Sequence, residues 1–188
     1  MQRPQWMTLS SRCSTVNLRQ DTGFTLVELV VVIIILGILA VIAVPRLLNL
    51  SDEAIISELD AISGSLKSAN EVVYSEAVVA GIENQEFSHI HNDNDAKLLI
   101  NNRQVSLHFG RIQPSVWNIR TVLEIDKSDW NVLAAGGVFG PVYLVPKSAP
   151  AFSQTSIAEI LQSQCYFAYG FDRKVYRTPY YTIETQGC

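Results

Sequence analysis

Signatures of catalysis are scarce in this 188-residue chain. It has three histidines and no G-x-S-x-G sequence, so no nucleophile with a histidine partner is evident. The glycine cluster at 136–140 is followed by the strand-like segment 142–145 instead of by Lys-Ser or Lys-Thr, which argues against a phosphate-binding loop and predicts turn glycines. We therefore predict that the protein is not an enzyme, with no catalytic residue and no cofactor.

Charge is nearly absent between Phe24 and Val44, where Glu28 is the only ionisable side chain in 21 residues. At about 1.5 Å per residue, a helix of this length crosses a hydrocarbon core roughly 30 Å thick, so we predict a membrane-spanning helix. A carboxylate within such a helix costs about 2 to 4 kcal/mol near the bilayer centre and less towards its end. The helix dipole offsets up to about 1 kcal/mol of this cost, and we interpret Glu28 as a functional residue with a partner ammonium group.

The segment before this apolar stretch is polar and contains Arg3, Arg12 and Arg19. Secretory signals are cut after their apolar region, at an A-x-A-like site. A cut at Gly23 would instead leave the apolar stretch on the mature protein. On the hypothesis that translation starts at Val16, the leader would be V-N-L-R-Q-D-T-G and the cut would not move.

The order of polar leader and apolar stretch, with G-F-T-L-V-E at the junction, resembles the prepilin signal of bacterial type IV pilins and of the pseudopilins of type II secretion. The resemblance implies cleavage between Gly23 and Phe24 by a prepilin peptidase/methyltransferase, and N-methylation of Phe24. It makes Glu28 the fifth residue of the mature chain, and it places Gly37 and Pro45 where the helix loosens during assembly. Because N-methylation keeps the amine protonatable, the Phe24 ammonium of a neighbouring subunit is the candidate partner of Glu28.

Basic residues are scattered along the chain. Removing residues 1–23 takes away three of the 14 basic and one of the 18 acidic residues, which leaves a net charge of −6. An acidic surface without a basic cluster argues against nucleic acid as the main partner.

Cysteines are few, and Cys13 would be lost with the leader. The remaining pair, Cys165 and Cys188, belongs to a domain that the anchor places outside the cytoplasm, where disulfides persist. A bridge between them would close a 24-residue loop, worth roughly 3 to 4 kcal/mol on the chain-entropy argument. Type IV pilins have such a C-terminal loop, and the usual major pseudopilin lacks it.

Beyond Pro45, where we expect a bend, the apolar residues follow a helical period to a natural stop at Gly81. This narrow seam predicts that residues 51–80 pack one face on a globular domain. Its members are Ile55, Leu59, Ile62, Leu66, Ala69 and Val73.

Residues 81–188 alternate between strand-like and turn-like segments, which predicts an antiparallel sheet. The expected strands are 97–100, 103–109 (with His108 on the surface), 130–135, 142–145, 165–171 and 180–184, with short helices from Pro114 to about Asp126 and at 156–162. In the terminal hairpin, alternation sends one aromatic face outward for subunit contacts or glycan stacking, although core and subunit packing are favoured over a sugar site.

A polar loop contains His89, His91, Asp93 and Asp95. Histidines and carboxylates can hold zinc or calcium, but the spacing completes no motif, since the glycine and the terminal glutamate of a calcium loop are missing. We favour a solvated loop and predict no metal.

Three stretches in the mature chain resemble the mannose-sensitive haemagglutinin (MSHA) pilins: V-Y-S-E-A-V-V-A-G at 73–81, I-D-K-S-D-W at 125–130, and the terminal C-Y-F-A-Y to T-I-E-T-Q-G-C pattern. The fold class that follows is α+β: a type IV pilin fold with a long N-terminal helix, half transmembrane and half amphipathic, on an antiparallel sheet with a C-terminal disulfide loop. The expected segments are a cleaved leader (1–23), a transmembrane and assembly helix (24–50), its amphipathic half (51–80) and a globular head (81–188).

These patterns predict a subunit, major or minor, of an adhesive type IV pilus of a Gram-negative bacterium. Expected partners are other pilin subunits, the prepilin peptidase, the pilus assembly machinery, the inner membrane before assembly, and surface glycans. One alternative is a pseudopilin of a type II secretion system. Another is an anchored glycan-binding module that does not polymerise, for which Glu28 would be dispensable.

Overall fold

The computed structural model describes residues 25–87, 95–137, 140–172, 174–175 and 177–188, without the side chains of residues 42–50. The chain forms two compact units, Met1–Val44 and Pro45–Cys188. Its elements are α1 (Leu26–Ala80), β1 (Lys97–Ile100), β2 (Arg103–His108), β3 (Arg111–Ile112), α2 (Val116–Leu123), β4 (Trp130–Ala134), β5 (Val142–Pro146), α3 (Ile157–Ser163), β6 (Tyr166–Phe171) and β7 (Pro179–Glu184). The strands form two antiparallel sheets, in the orders β1-β2-β3 and β4-β5-β6-β7. The α+β prediction is confirmed.

In the second unit, α1 packs on the rest of the head through one face, as its apolar period predicts. Five of the six seam residues are buried and Ala69 is half-buried, while the charged residues between Asp52 and Glu71 are exposed. Ala77 continues the buried face by one more turn and is fully buried. The seam therefore supplies this part of α1 with the contacts that a single amphipathic helix lacks.

The predicted stop at Gly81 is confirmed by the backbone. Gly81 has a φ of +70°, its N–H donates to the Val78 carbonyl at 3.1 Å, and the Ile82 N–H donates to the Ala77 carbonyl at 3.0 Å. This pair of bonds is a Schellman motif, which glycine favours because it lacks a Cβ.

The first hairpin has the predicted turn at Asn101 and Asn102, whose φ angles are +50° and +58°. Two left-handed residues between paired strands form a type I′ turn, which asparagine tolerates. A second two-residue turn, at Phe109 and Gly110, ends β2 one residue early and leads into β3, which the sequence did not predict. Since β3 has two residues, it is too short to show a periodic signal.

The expectation that His108 lies on the surface is wrong, because its side chain is fully buried. The Phe87 N–H donates to His108 Nδ1 at 3.2 Å, and the Phe171 ring centre lies 4.7 Å from the imidazole in an edge arrangement. The segment before Phe87 also pairs with the end of β2, through the Phe109 N–H and the Gln85 carbonyl at 2.8 Å. The loop after α1 thus covers the strand face that alternation alone assigns to solvent.

Helix α2 begins as predicted, since Ser115 Oγ accepts from the Asn118 N–H at 3.1 Å. It ends at Leu123, three residues before the expected Asp126, because Glu124 adopts a left-handed φ of +52°. Its buried side is also more polar than predicted. Ile119 is buried as expected, together with the polar Asn118 and Thr121, whereas Val116, Val122 and Leu123 are half-buried.

Strands β4, β5, β6 and β7 and helix α3 lie within one residue of their predicted bounds. The prediction that one face of the terminal hairpin points outward is, however, wrong for β6. This strand lies between β5 and β7, and five of its six residues are buried. On the face expected to be open, the rings of Tyr143 and Tyr166 meet edge-on at 5.5 Å, and a Cβ at Gly170 would come within 2.9 Å of the Tyr180 hydroxyl. These tyrosines pack on one another and cover the sheet.

Candidate functional site

The predicted assembly helix starts with a local cap. Thr25 Oγ1 accepts from the Glu28 N–H at 3.2 Å, and the Thr25 carbonyl accepts from the Leu29 N–H, also at 3.2 Å. Thr25 is therefore the N-cap, and T-L-V-E has the sequence of a capping box with Glu28 at its third helical position. The Glu28 side chain is exposed, so its carboxylate complements the helix dipole and is free to meet a partner.

The described side chains from Thr25 to Val41 are all exposed in this unit. The large apolar ones range from 40% exposure at Val30 to 78% at Leu26. Apolar residues surround the helix on every side, a pattern typical of helices buried in a large core or a membrane. Among the described residues, no second element of this unit covers them.

Within the parts of the chain that the structure describes, no helix combines the length and the apolarity that crossing a membrane requires. The membrane span at 24–44 stays a prediction.

Gly37 lies within this exposed helix, and apart from its chain neighbours and the nearby helix backbone, no described atom comes within 4 Å of the position that a Cβ would occupy there. Glycine in a helix interior costs about 1 kcal/mol relative to alanine. The folded unit therefore gives no packing reason for glycine at this position.

Glu28 and Gly37 lie on one helix in the first unit, and the cysteines lie in the second. Gly23 and Phe24 lie outside the described residues. Pro45 is part of the backbone of α1, but its side chain is outside the description.

Cys165 and Cys188 form the predicted disulfide, with their Cα atoms 4.9 Å apart. Backbone contacts hold the C-terminus beside the bridge, since the Gly187 N–H donates to the Gln164 carbonyl at 3.0 Å. A Cβ on Gly187 would come within 1.9 Å of the Ser163 carbonyl oxygen, so only glycine fits this approach. The bridge and the glycine together fix the last residues against the start of β6.

A buried polar cluster at Asn70, which the sequence patterns did not reveal, joins α1 to both sheets. Asn70 is fully buried. Its Oδ1 accepts from the Ile112 N–H of β3 at 2.9 Å, and its Nδ2 donates to the Tyr181 hydroxyl of β7 at 2.9 Å. The Tyr169 hydroxyl donates to the Ile112 carbonyl at 2.5 Å. One amide therefore sets the position of α1 relative to two strands that are distant in sequence.

Burial raises the pKa of Tyr169 well above its usual value, and burial also raises the pKa of Tyr181. Both phenols are therefore neutral at physiological pH and serve as hydrogen-bonding groups. The only sequence signal for this cluster is that Asn70 lies four residues after Leu66, on the apolar side of the helix.

An ion pair between α1 and β3 lies next to the Asn70 cluster. Arg111 Nη1 lies 2.7 Å from Glu71 Oε1, and the Arg111 guanidinium stacks 4.7 Å from the centre of the Tyr74 ring. Because Glu71 is largely exposed, this pair contributes modestly to stability and mainly helps to orient β3 on α1.

Groups of three or more potential metal ligands are absent from the described residues. Of the four residues weighed as metal ligands in the predicted solvated loop, His89, His91 and Asp93 lie outside the described residues, and Asp95 lies inside them.

Residues 18–44 match the family described as the prokaryotic N-terminal methylation motif. No curated protein and no solved structure matches the chain. The motif supports a type IV pilin-like or pseudopilin protein, which suggests a structural subunit that is processed by a prepilin peptidase and joins other subunits. The helix on an antiparallel sheet and the Cys165–Cys188 bridge are consistent with the type IV pilin fold.

Proposed function

We propose that this chain is a structural subunit of an adhesive type IV pilus, and that it resembles the MSHA pilins. In this proposal the precursor is cleaved between Gly23 and Phe24, and Phe24 is N-methylated. The apolar helix anchors the subunit in the inner membrane of a Gram-negative bacterium. It then leaves the lipid and joins the helices of other subunits in the fibre core, assisted by the pilus assembly machinery.

The observation that carries this proposal is the methylation motif at 18–44 on a helix whose described apolar side chains are exposed all round. Exposed apolar area of this extent contributes to association at about 25 cal/mol per Å² when it is covered. Lipid and copies of the same helix are the two apolar environments that a filament subunit meets in turn.

Glu28 has a defined role in this assembly, since its carboxylate pairs with the methylated Phe24 ammonium of a neighbour. The pairing sets the register between helices, because an unpaired charge in an apolar bundle is strongly disfavoured. Gly37 and Pro45 are the positions at which the helix loosens as subunits pack. The heads form the outer shell of the fibre, where they contact surfaces and their glycans.

A pseudopilin, which works as a periplasmic piston, is the second candidate. The motif is common to both classes, and the apolar helix serves both. The Cys165–Cys188 bridge favours the pilin, since the usual major pseudopilin lacks a C-terminal bridged loop.

Mass spectrometry of fibres sheared from the native bacterium tests the proposal. We expect an N-terminal peptide that begins with methylated Phe24. The abundance of this chain in the fibres then separates a major from a minor subunit. If the chain is absent from extracellular fibres and present only in the envelope of secreting cells, the pseudopilin is correct.

Gly23→Val is the matched test of processing. Because a side chain at this position obstructs the close approach of the peptidase to the backbone, we expect precursor of unchanged length in the inner membrane. Methylated Phe24 in this variant would contradict the assigned cleavage site.

A further inference from the structure

The first turn of α1 begins with backbone N–H groups that have no helical partner. Helix α1 begins at Leu26, and its first helical bond runs from the Leu29 N–H to the Thr25 carbonyl at 3.2 Å. The N–H groups of Leu26, Val27 and Glu28 precede this bond, as the first N–H groups of any helix do. Thr25 Oγ1 accepts from the Glu28 N–H at 3.2 Å. The side chain of the N-cap residue therefore satisfies one of these groups.

Glu28 brings a second acceptor to the same turn. In a complete capping box, the glutamate three residues after the N-cap turns back and accepts from the N-cap N–H. Only the threonine half of this box is present among the described hydrogen bonds, because the Glu28 carboxylate accepts from neither Thr25 nor another described group. The Glu28 side chain is exposed. The hydroxyl therefore makes the cap without using the carboxylate.

An acceptor at this turn matters because the surrounding side chains are apolar. Apart from Glu28, every residue from Leu26 to Leu36 is a leucine, isoleucine or valine. In lipid or in a bundle of such helices, no water replaces a missing acceptor, so an unsatisfied backbone N–H costs more than it does in water. If the Thr25 hydroxyl were absent, the Glu28 carboxylate would be the replacement acceptor that the capping-box spacing brings within reach. The carboxylate would then turn back onto its own helix.

We propose that Thr25 is a positioning residue for fibre assembly: its hydroxyl completes the start of α1 and so keeps the Glu28 carboxylate available for the Phe24 ammonium of a neighbouring subunit. In this role Thr25 acts through Glu28 and not through a contact of its own with the neighbour. The inference rests on the proposed function, in which this pair sets the register between helices.

Thr25→Val and Thr25→Ser are a matched pair of variants. Valine keeps the branched shape of threonine without the hydroxyl, whereas serine keeps the hydroxyl without the methyl group. Loss of an N-cap side chain typically shifts the equilibrium at a helix start by about twofold to thirtyfold. We expect the number of fibres seen by electron microscopy to fall within this range in Thr25→Val and to stay within about twofold of wild type in Thr25→Ser.

Fibre numbers are divided by the amount of mature protein in the inner membrane, measured by mass spectrometry of the N-terminal peptide. This ratio separates assembly from any change in cleavage at the neighbouring bond between Gly23 and Phe24. Val27→Ile, at an exposed position on the same turn, should assemble as wild type.

Amide hydrogen exchange of the mature monomer in detergent tests the step through Glu28. In Thr25→Val the carboxylate replaces the hydroxyl, and in Glu28→Val the hydroxyl remains, so the amide of residue 28 should keep most of its protection in both variants. The double variant lacks both acceptors, and its protection should fall about twofold to thirtyfold below that of either single variant. A threonine that only stabilises the helix predicts instead that Thr25→Val alone loses the protection.

Normal fibre numbers in Thr25→Val, beside their loss in Glu28→Val, would overturn the inference and leave the pairing of Glu28 intact. Equal losses in Thr25→Val and Thr25→Ser would also overturn it, because the hydroxyl would not be the group that matters. Complete loss of amide protection in Thr25→Val alone would remove the carboxylate as the substitute acceptor and overturn the proposed step. Normal fibres in Glu28→Val would contradict the pairing itself, and with it the inference.

Discussion

The described leucine side chains are exposed in the first part of α1 and buried in the second. Leu36, in the first unit, is 58% exposed, whereas Leu59 and Leu66, in the second, are fully buried. The first part is apolar on all sides, and the second has one apolar face with charged residues elsewhere. A one-sided pattern packs on the chain's own sheet, while an all-round apolar pattern is typical of a helix surrounded by a large core or a membrane. In the described residues, the apolar seam of the second part of α1 is therefore covered by the head, and the apolar side chains of the first part are uncovered.

We expect replacement of Glu28 to have the largest effect on the first unit. It should prevent assembly into fibres while the helix stays folded. The cap uses the Glu28 backbone N–H and survives Glu28→Val. The helix becomes more apolar, so insertion and processing continue. What is lost is the carboxylate that we propose as the partner of the Phe24 ammonium. We expect mature protein in the inner membrane with few or no fibres, by electron microscopy and cell fractionation.

Val27→Ile is the matched control, since it changes a neighbouring exposed side chain without changing charge. It should assemble as wild type. Abundant normal fibres in Glu28→Val would contradict the proposed pairing and favour an anchored module that does not polymerise.

Loss of the bridge should affect the head and spare the first unit. Because Cys165→Ser frees the C-terminus from the start of β6, we expect the free energy of unfolding to fall by about 2 to 5 kcal/mol. Thermal denaturation of the oxidised wild type and the variant measures this difference. Wild-type protein treated with a reductant should approach the stability of the variant, and an unchanged melting temperature would count against the bridge as a stabilising element.

Asn70→Ala tests the polar cluster that joins α1 to the strands. It leaves the buried Ile112 N–H and the Tyr181 hydroxyl without their shared amide. We expect a loss of about 1 to 3 kcal/mol in the free energy of unfolding. Ser68→Ala, on the exposed side of the same helix, should change stability by less than about 0.5 kcal/mol. Similar melting temperatures for the two variants would remove Asn70 from its proposed role.

The buried phenols predict a loss of head stability at alkaline pH. The pKa of Tyr169 is raised in the folded protein, so its contribution is complete below the unfolded value near 10 and is lost as the pH rises towards the folded pKa. The slope is about 1.4 kcal/mol per pH unit for one such group. Tyr169→Phe should be less stable than wild type at pH 8 but show a shallower decline above pH 10. Parallel declines in a pH series of denaturation curves would contradict this assignment.

Gly37→Ala should have the smallest effect on the isolated chain. Open space around this position accepts a methyl group, and alanine favours the helix by up to about 1 kcal/mol. Circular dichroism in detergent should therefore show equal or greater helicity. Because the proposed role of Gly37 lies in loosening the helix during assembly, fewer fibres from this more helical variant would assign its function to the filament. Normal fibre numbers would remove Gly37 from the assembly mechanism.

Several features of this fold follow from local sequence because their causes are local. The seam from Ile55 to Val73 follows from the helical period. Gly81 ends α1 because glycine readily adopts the left-handed conformation that closes a helix, and Asn101 and Asn102 fit the turn between β1 and β2. The bridge between Cys165 and Cys188 followed from an even cysteine pair and the expected compartment. The apolar stretch around Glu28 predicts a helix that is apolar on all sides, because the all-round absence of charge is itself a local property.

Only the tertiary structure decided which strand faces are covered. His108 is buried because the loop after α1 crosses its side of β2, and β6 is buried on both faces because the tyrosines of neighbouring strands lie over it. The bonds of Asn70 to Ile112 and Tyr181 join residues 42 and 111 positions apart. Alternation gives the direction of each side chain, but burial depends on segments that approach from elsewhere in the chain, and no local pattern records that approach.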